Sequence, residues 1–286
     1  MSPESTWALP MQLGTLDPGP SFVELLRRVA PDALQIGGSL SGDNPPFEIT
    51  HGTTVVAIRC AGGVVMAGDR RATAGYTIAN RRIEKVFAAD ELSGVAIAGA
   101  AGPAIEMVRL FQVQLRHYEK VEGVPLSLVG KANQLAGMVR ANLPAAMQGF
   151  VVIPLFAGYD ARRERGRVFS FDAAGGKYEE ADYQANGSGG VHARNWIKAG
   201  WSEGISVDDA ISLAVRSLFA AADEDVATGG PDLVRGIYPN VATIDSNGFR
   251  AMDDTEVGER SQSLLGGTER GGSNQPTKKA TGRGAK

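Results

Sequence analysis

Three parts of the chain carry side chains that could form a hydrolytic site: His51-Gly52-Thr53-Thr54, Gly68-Asp69-Arg70-Arg71, and Lys85. If the bond between the glycine and the first threonine is cut, the new chain end carries both a hydroxyl and an α-amine. That amine has a pKa near ~8, so it can act as the general base for its own hydroxyl. A nearby lysine would lower this pKa further, and a carboxylate would keep the lysine charged and in place.

Each of these residues also has an ordinary structural explanation. Thr53 could begin a strand, and Asp69 and Lys85 could form an exposed ion pair on the protein surface. Taken singly, these explanations are favoured, because each residue type is common in such positions. Taken together they are not, since the hairpin predicted from the same residues brings two of the three side chains to one place.

Two β-branched runs, Thr53–Arg59 and Gly63–Gly68, flank a short turn and predict a β-hairpin. With the turn centred on residues 61 and 62, residues that face each other have numbers that sum to about 122–124. This register pairs Thr53 with Asp69 at the open end of the hairpin.

Other short motifs are weaker indications of chemistry. Asn186-Gly-Ser-Gly-Gly190 suggests a nucleophilic serine, Ser188, but such a serine needs a histidine base, and His192 follows only four residues later. A glycine-rich turn between a strand and a helix is the favoured interpretation. Gly130-Lys131 resembles the end of a phosphate-binding loop, but Pro125 stands where that loop needs a glycine. The histidines lack metal-ligand spacing, so we expect no metal and no cofactor.

Composition limits the classes of protein to which the chain can belong. Its 286 residues are 43% hydrophobic, enough to bury a large core, and the net charge of −3 gives no reason to expect a nucleic-acid partner. Cys60 is the single cysteine, which excludes an internal disulfide and favours a reducing, cytoplasmic location. We expect no secretion signal and no membrane partner, because the start of the sequence is not basic and no apolar run reaches ~20 residues.

Changes in pattern divide the chain into three parts. Residues 1–52 contain half of the 14 prolines and six acidic residues against two arginines, which is typical of a flexible leader. Residues 53–254 combine strands and helices, which predicts one α+β domain. Residues 255–286, which end in a stretch rich in Gly, Thr, Lys and Arg, are expected to form a flexible tail.

Hydrophobic periodicity predicts the elements of the central domain. We expect helices at 103–118, at 126–147 with a break at Pro144, at 192–199, and from Ser206, where Asp209 completes a capping pair. We expect the strands at 53–59, 63–68, 85–87, 95–99, 150–157, 167–171, 240–244 and 249–252.

The order and spacing of five segments resemble the β-type subunits of bacterial, actinobacterial proteasomes. These segments are Gly52–Val56, Gly63–Arg71, Lys85, Gly187–Gly189 and Asp225–Asp232. The resemblance implies an N-terminal-nucleophile hydrolase with a four-layer αββα sandwich. It also implies that residues 1–52 are a propeptide, removed autocatalytically between Gly52 and Thr53, and that Thr53 is then the nucleophile of a threonine-type endopeptidase.

The resemblance assigns roles to residues around this threonine. Asp69 and Lys85 match the carboxylate and the lysine that tune it. The hydrogen-bonding network around its amine is matched by Ser188, Asp225 and Thr228, although the family often has serine at the last of these positions.

Substrate contacts also follow from the resemblance. Gly99 matches the backbone amide that stabilises the tetrahedral intermediate, and Thr73 matches a backbone contact to an extended substrate. An apolar specificity pocket is implied by the residues at or near its walls, which are Ala72, Ile83, Ile97, Ala101 and Ile105.

The implied partners are those of a proteasome. The resemblance implies a homo-heptameric β ring stacked on rings of α subunits, a ring ATPase that acts through the α rings, and unfolded substrates that carry a prokaryotic ubiquitin-like tag. Three alternatives stay open at this point: another N-terminal-nucleophile amidohydrolase, a non-catalytic ring subunit, and a serine hydrolase that acts through Ser188.

Overall fold

The computed structural model describes residues 52–266 of the chain. Apart from Gly52, the predicted leader lies outside the described residues. The strands in the described part are β1 (Thr54–Cys60), β2 (Gly63–Gly68), β3 (Ala72–Ala74), β4 (Thr77–Asn80), β5 (Val86–Asp90), β6 (Ser93–Gly99), β7 (Val152–Asp160), β8 (Arg165–Phe171), β9 (Lys177–Glu180), β10 (Tyr183–Gly187), β11 (Asn240–Asp245) and β12 (Gly248–Ala251). The helices are α1 (Ala101–Glu122), α2 (Leu128–Ala141), α3 (Leu143–Ala146), α4 (Gly190–Gly200), α5 (Val207–Glu224) and α6 (Asp254–Gly266).

The strands form two five-stranded antiparallel sheets and one separate hairpin. The first sheet has the order β10-β1-β2-β11-β12, and the second has the order β5-β6-β7-β8-β9. Strands β3 and β4 pair only with each other. The predicted α+β class is confirmed.

The hairpin of β1 and β2 fixes the start of the candidate site. Its paired residues, from Val55 with Gly68 to Cys60 with Gly63, have numbers that sum to 123. Asp69 therefore lies opposite Thr54, and its N–H donates to the Thr54 carbonyl at 3.1 Å. The predicted pairing of Asp69 with Thr53 was wrong by one residue, because the two-residue turn allows a single register.

Strand β1 is buried on both faces, which explains its apolar run from Val55 to Ile58. Val56 and Ile58 pack in a core cluster with α4 and α5, whereas Val55 and Ala57 pack in a cluster shared with the second sheet. The other face of the second sheet packs on α1 and α2, where Phe111 meets Phe156 edge to face. The first and second core clusters thus join each sheet to helices, and the third cluster joins the two sheets.

Helix ends follow the local sequence. Ser206 caps α5, since its Oγ accepts the N–H of Asp209 at 3.1 Å and donates to the carboxylate of the same residue. The helix predicted over 126–147 with a break at Pro144 is divided earlier, since α2 ends at Ala141 and the separate turn α3 follows. The break precedes Pro144, whose nitrogen has no hydrogen to continue the helical hydrogen bonds; Pro144 instead lies in the first turn of α3, where that N–H is not needed.

The predicted flexible tail was wrong for residues 255–266, which belong to α6. The carboxylate of Asp253 accepts the N–H of Glu256, and Val257 is buried in the first core cluster. One cap and two widely spaced apolar contacts, Val257 and Leu264, are too sparse a pattern to separate this helix from the polar sequence after it. Residues 267–286 of the predicted tail lie outside the described residues.

Candidate active site

Thr53 immediately precedes β1 and is buried. Its hydroxyl donates to the carbonyl oxygen of Gly52 at 2.7 Å, and its N–H donates to Ser188 Oγ at 3.3 Å. The Ser188 N–H in turn donates to the Thr53 carbonyl at 2.9 Å. The hydroxyl of Thr53 therefore lies beside the peptide bond that the sequence predicts to be cleaved.

Asp69 accepts four hydrogen bonds, two on each carboxylate oxygen. Oδ1 accepts from the Thr54 N–H at 2.8 Å and from Lys85 Nζ at 2.6 Å. Oδ2 accepts from the N–H groups of Arg71 and Gly229, both at 2.8 Å. An ionised carboxylate has about four acceptor positions, so this charge is fully satisfied although the side chain has no exposed surface.

Lys85 is 2% exposed and donates to Asp69 and to the carbonyl oxygen of Arg71, the latter at 2.7 Å. Burial lowers the pKa of Lys85 below its ordinary value, and the attraction of Asp69 opposes this shift. A buried ammonium whose proton is less tightly held than usual is suited to influence a neighbouring amine.

Ser188, Asp225 and Thr228 form a second hydrogen-bonded group. Both hydroxyls donate to Asp225 Oδ2 at 2.5 Å. Burial alone would raise the pKa of Asp225, but these two hydrogen bonds hold it below its usual range. The carboxylate is therefore ionised near neutral pH and accepts both protons.

The serine-hydrolase alternative is not supported by this arrangement. The proton of Ser188 is directed to Asp225, so its Oγ presents a lone pair to the Thr53 N–H instead of giving a proton to a histidine. A thiol nucleophile is also disfavoured, because burial raises the pKa of Cys60 to about 11.

A pocket beside Thr53 brings together most of the predicted substrate-contacting residues. Its walls are Gly52, Thr53, Ala72, Thr73, Ile83, Lys85, Ile97, Gly99 and Ala101. Ile105 was expected at or near this pocket, but it packs instead against the core between the second sheet and its helices.

Two glycines of the pocket, Gly52 and Gly99, lie where there is no space for a side chain. A Cβ on Gly52 would lie 2.1 Å from the Cβ of Ala227, and one on Gly99 would lie 2.0 Å from the carbonyl oxygen of Val151. Gly99 also has a φ of +109°, which favours glycine. The backbone at both positions is therefore fixed by close contacts that other residue types would disrupt.

Sequence reasoning missed three residues of this network: Thr54, Arg71 and Gly229. Arg71 and Gly229 hold Asp69 through their backbone N–H groups, for which no side-chain pattern exists. Thr54 carried a possible signal, because it adjoins Thr53, but it looked like an ordinary strand residue.

The structure adds two negative findings for residues 52–266. No group of His, Cys, Asp and Glu side chains in this part of the chain is arranged to hold a metal ion. None of its helices combines the length and the apolar character needed to cross a bilayer.

Comparison with known proteins gives the family. The sequence profile of the family described as "Proteasome subunit" matches residues 49–234. A protein named "Proteasome subunit beta" from Acidimicrobium ferrooxidans is 60% identical over 252 residues, which cover 88% of this chain and 91% of the relative. The chain belongs to the proteasome β-subunit family. Its predicted resemblance to that family is confirmed.

Two further β subunits support this membership. The protein of the same name from Streptomyces griseus is 51% identical over 262 residues, covering 91% of this chain and 92% of the relative. That of Acidothermus cellulolyticus is 54% identical over 242 residues, covering 83% of each chain. Membership in the proteasome family implies a protease component that assembles into a larger complex.

Proposed function

We propose that this β subunit is a threonine-type endopeptidase whose nucleophile is Thr53, freed by autocatalytic cleavage between Gly52 and Thr53. The observation that carries the proposal is the contact of 2.7 Å from the Thr53 hydroxyl to the Gly52 carbonyl oxygen, in a pocket that Lys85 also lines. Residues 1–52 are then a propeptide that keeps the enzyme inactive, because the α-amine does not exist until they are removed.

Processing follows from this contact. Thr53 Oγ attacks the carbonyl carbon of Gly52, the bond between that carbon and the Thr53 nitrogen breaks, and the nitrogen takes up a proton to become the amine. Water then hydrolyses the resulting ester, which leaves a carboxyl group on Gly52 and the free hydroxyl on Thr53.

Peptide hydrolysis repeats this chemistry on a substrate. The Thr53 amine accepts the hydroxyl proton, Oγ attacks the substrate carbonyl carbon, and the Gly99 N–H stabilises the oxyanion. The amine product leaves with a proton, and water hydrolyses the acyl ester with the same amine as base. The ammonium of Lys85, held by Asp69, lowers the pKa of the Thr53 amine, while Ser188, Asp225 and Thr228 orient it.

Substrate selection is assigned to the pocket walls. Thr73 contacts the backbone of an extended substrate, and the small or branched side chains of Ala72, Ile97 and Ala101 favour an apolar residue at the cleavage point. The proximity of all four to Thr53 supports this assignment.

The fold and assembly complete the proposal. The three core clusters support a four-layer αββα sandwich of the N-terminal-nucleophile type. We propose a homo-heptameric β ring, stacked on α-subunit rings in the cytoplasm, that receives unfolded, tagged proteins from a ring ATPase. Support for this assembly comes from membership in the proteasome family.

The deciding experiment is intact mass measurement and N-terminal sequencing after co-expression with a proteasome α subunit. We expect the wild-type chain to begin at Thr53, Thr53→Ser to be processed at the same bond, and Thr53→Ala to keep residues 1–52 and to hydrolyse no fluorogenic peptide. A wild-type chain that retains its leader, or a Thr53→Ala chain that loses it, would contradict the proposal.

A further inference from the structure

Thr54 links the two carboxylates of the site, because it bonds Asp69 directly and Asp225 through Thr228. It has no exposed surface, and its N–H donates to Asp69 Oδ1 at 2.8 Å. Its Oγ1 lies 2.6 Å from Thr228 Oγ1 and accepts the Gly189 N–H at 3.0 Å. The backbone of this residue therefore belongs to the group around Asp69, and its side chain belongs to the group around Asp225.

The directions of these hydrogen bonds follow from the number of protons available. A threonine hydroxyl has one proton, and an ionised carboxylate can only accept. Thr228 gives its proton to Asp225, so it cannot also donate to Thr54. The proton between the two threonines must therefore come from Thr54, whose own lone pair is used by the Gly189 N–H.

One directed chain results. It runs from the Gly189 N–H through Thr54 and Thr228 to Asp225, and Ser188 donates to the same carboxylate oxygen from the opposite end. Because the Ser188 hydroxyl donates its proton to Asp225, a lone pair of Ser188 Oγ stays available to accept from the nitrogen of Thr53.

We propose that Thr54 is a positioning residue: its hydroxyl orients Thr228 toward Asp225 and thereby keeps Ser188 in place as an acceptor for the Thr53 amine. This inference rests on the proposed role of Thr53 and adds a requirement that the catalytic set does not contain. It requires a hydroxyl, not only a side chain of threonine size, at position 54.

Substitution by valine separates these two requirements, because valine keeps the volume and removes the proton. Thr54→Val leaves the Gly189 N–H without its acceptor and leaves Thr228 free to turn its proton away from Asp225. Asp225 also accepts the Ala227 N–H, and its charge interacts with His192 on α4 and with Lys85. The substitution leaves these three groups in place. A weaker donor to Asp225 raises the pKa of its carboxyl.

The test compares Thr54→Val, Thr54→Ser, Thr53→Ala and the control Thr243→Val, a buried threonine of β11 outside the network. Each is co-expressed with a proteasome α subunit, and the rate of fluorogenic peptide hydrolysis is referred to the processed chains counted by N-terminal sequencing. We expect Thr54→Val to lower kcat about tenfold with KM nearly unchanged, since one hydrogen bond contributes about that factor. We also expect the acidic limb of its pH profile, which the Thr53 amine sets as general base, to move to lower pH, because the ammonium form then loses its Ser188 acceptor.

Recovery of activity in Thr54→Ser would identify the missing hydroxyl as the cause of the loss in Thr54→Val. We expect Thr54→Ser and Thr243→Val to retain kcat and the pH profile of the wild type. The inference is overturned if Thr54→Val keeps the wild-type kcat and pH profile, or if Thr54→Ser loses as much activity as Thr54→Val. Activity that persists in Thr53→Ala would instead overturn the proposed function.

If Thr54→Val does not assemble, Thr54→Cys gives the same information because a thiol is a weak hydrogen-bond donor. We then expect a kcat well below that of Thr54→Ser. Equal kcat values for the cysteine and serine variants would overturn the inference.

Discussion

At the scale of single residues, hydrogen bonds hold Lys85 both at its side-chain ammonium and at its backbone N–H. Its ammonium donates to Asp69 and to the carbonyl oxygen of Arg71, while its backbone N–H donates to the side-chain oxygen of Asn240 at 3.1 Å. A lysine with this many contacts keeps one conformation, so in the proposed mechanism its charge acts on Thr53 from a constant position.

Replacement of Lys85 tests this electrostatic role. We expect Lys85→Ala to reduce kcat for peptide hydrolysis by about 10²-fold or more, because the Thr53 amine then has a higher pKa and is protonated at neutral pH. The measurement is the rate per processed chain in the co-expressed complex. Lys131→Ala is the matched control, since Lys131 is also buried and paired with a carboxylate, that of Asp90, but does not line the pocket. An equal loss of kcat in both variants would contradict the prediction.

Gly99 offers a second test at this scale. Gly99→Ala forces the backbone away from the Val151 carbonyl and out of its left-handed conformation, which displaces the N–H assigned to the oxyanion. We expect kcat to fall by about 10²–10³-fold, the usual effect of removing one such donor.

The control for this variant is Gly137→Ala in α2, where a Cβ meets nothing within 4 Å. We expect wild-type kcat there and a small gain in stability from the better helix former. Wild-type turnover by an assembled Gly99→Ala complex would exclude the oxyanion role.

At the scale of elements, the ends of strands assemble the site. Thr53 precedes β1, Asp69 follows β2, and Ser188 follows β10. Because these strands are antiparallel neighbours, the start of β1 and the ends of β2 and β10 lie at the same end of the first sheet. Asp225, at the C-terminal end of α5, contacts Ser188 at the same end of the sheet.

The position of α5 depends on its cap. We expect Ser206→Ala to lower the free energy of unfolding by about 1 kcal/mol, because the N–H of Asp209 loses its acceptor. Urea denaturation of the unassembled subunit, with Thr53→Ala to prevent processing, measures this change. Ser202→Ala, an exposed serine outside the helix, is expected to have little effect. Equal losses in the two variants would show that the cap is not the cause.

At the scale of the whole molecule, an ionic group fastens three strands of the second sheet. Arg167 on β8 is buried and binds Asp160 on β7 at 2.7 Å and Glu179 on β9 at 2.5 Å. Burial raises the pKa of Asp160, but the hydrogen bond and charge of Arg167, together with the backbone N–H groups of Arg162 and Arg163, outweigh it, and Arg167 also lowers the pKa of Glu179. Both carboxylates are therefore more stable ionised in the folded chain than in the unfolded one.

The sign of the pH dependence follows from these lowered pKa values. Their contribution to stability is fully present above the ordinary carboxyl range and is lost as the pH falls through the lower folded pKa values. We expect Arg167→Met to reduce the free energy of unfolding by about 2–3 kcal/mol at pH 7, less than for a fully enclosed pair because Glu179 is partly exposed.

The same variant is expected to lose less stability than the wild type between pH 5 and about pH 3, because fewer carboxylates then have lowered pKa values. Urea denaturation across this range is the measurement. Parallel pH profiles for the two chains would refute the assignment.

The sequence predicted Thr53, Asp69 and Lys85 because short-range patterns record them: a glycine before a threonine, and a hairpin whose turn sets the register. It did not predict Gly229, which lies 160 positions from Asp69 and contributes only a backbone N–H. Such a contact depends on the path of the loop after α5, which no periodicity describes.

The elements show the same division. Strand β1 was predicted because burial on both faces gives it an apolar run, Val55–Ile58, that is mostly β-branched. Strands β3 and β4 were not, since β4 is exposed along its length and the alternation in β3 covers only three residues. Helix α6 was missed because Val257 is the single deeply buried apolar residue in its first turn.

Because four donors surround the Asp69 carboxylate, replacing Asp69 by asparagine is expected to disrupt the site severely. Asparagine has nearly the same shape as aspartate, but it offers an acceptor on one side and an NH₂ group on the other. Whichever way the amide turns, its NH₂ faces two other donors, either those of Thr54 and Lys85 or those of Arg71 and Gly229. A neutral isostere is thus incompatible with the geometry of this position, and the negative charge of Asp69 is a condition for folding the site as well as for the chemistry proposed for it.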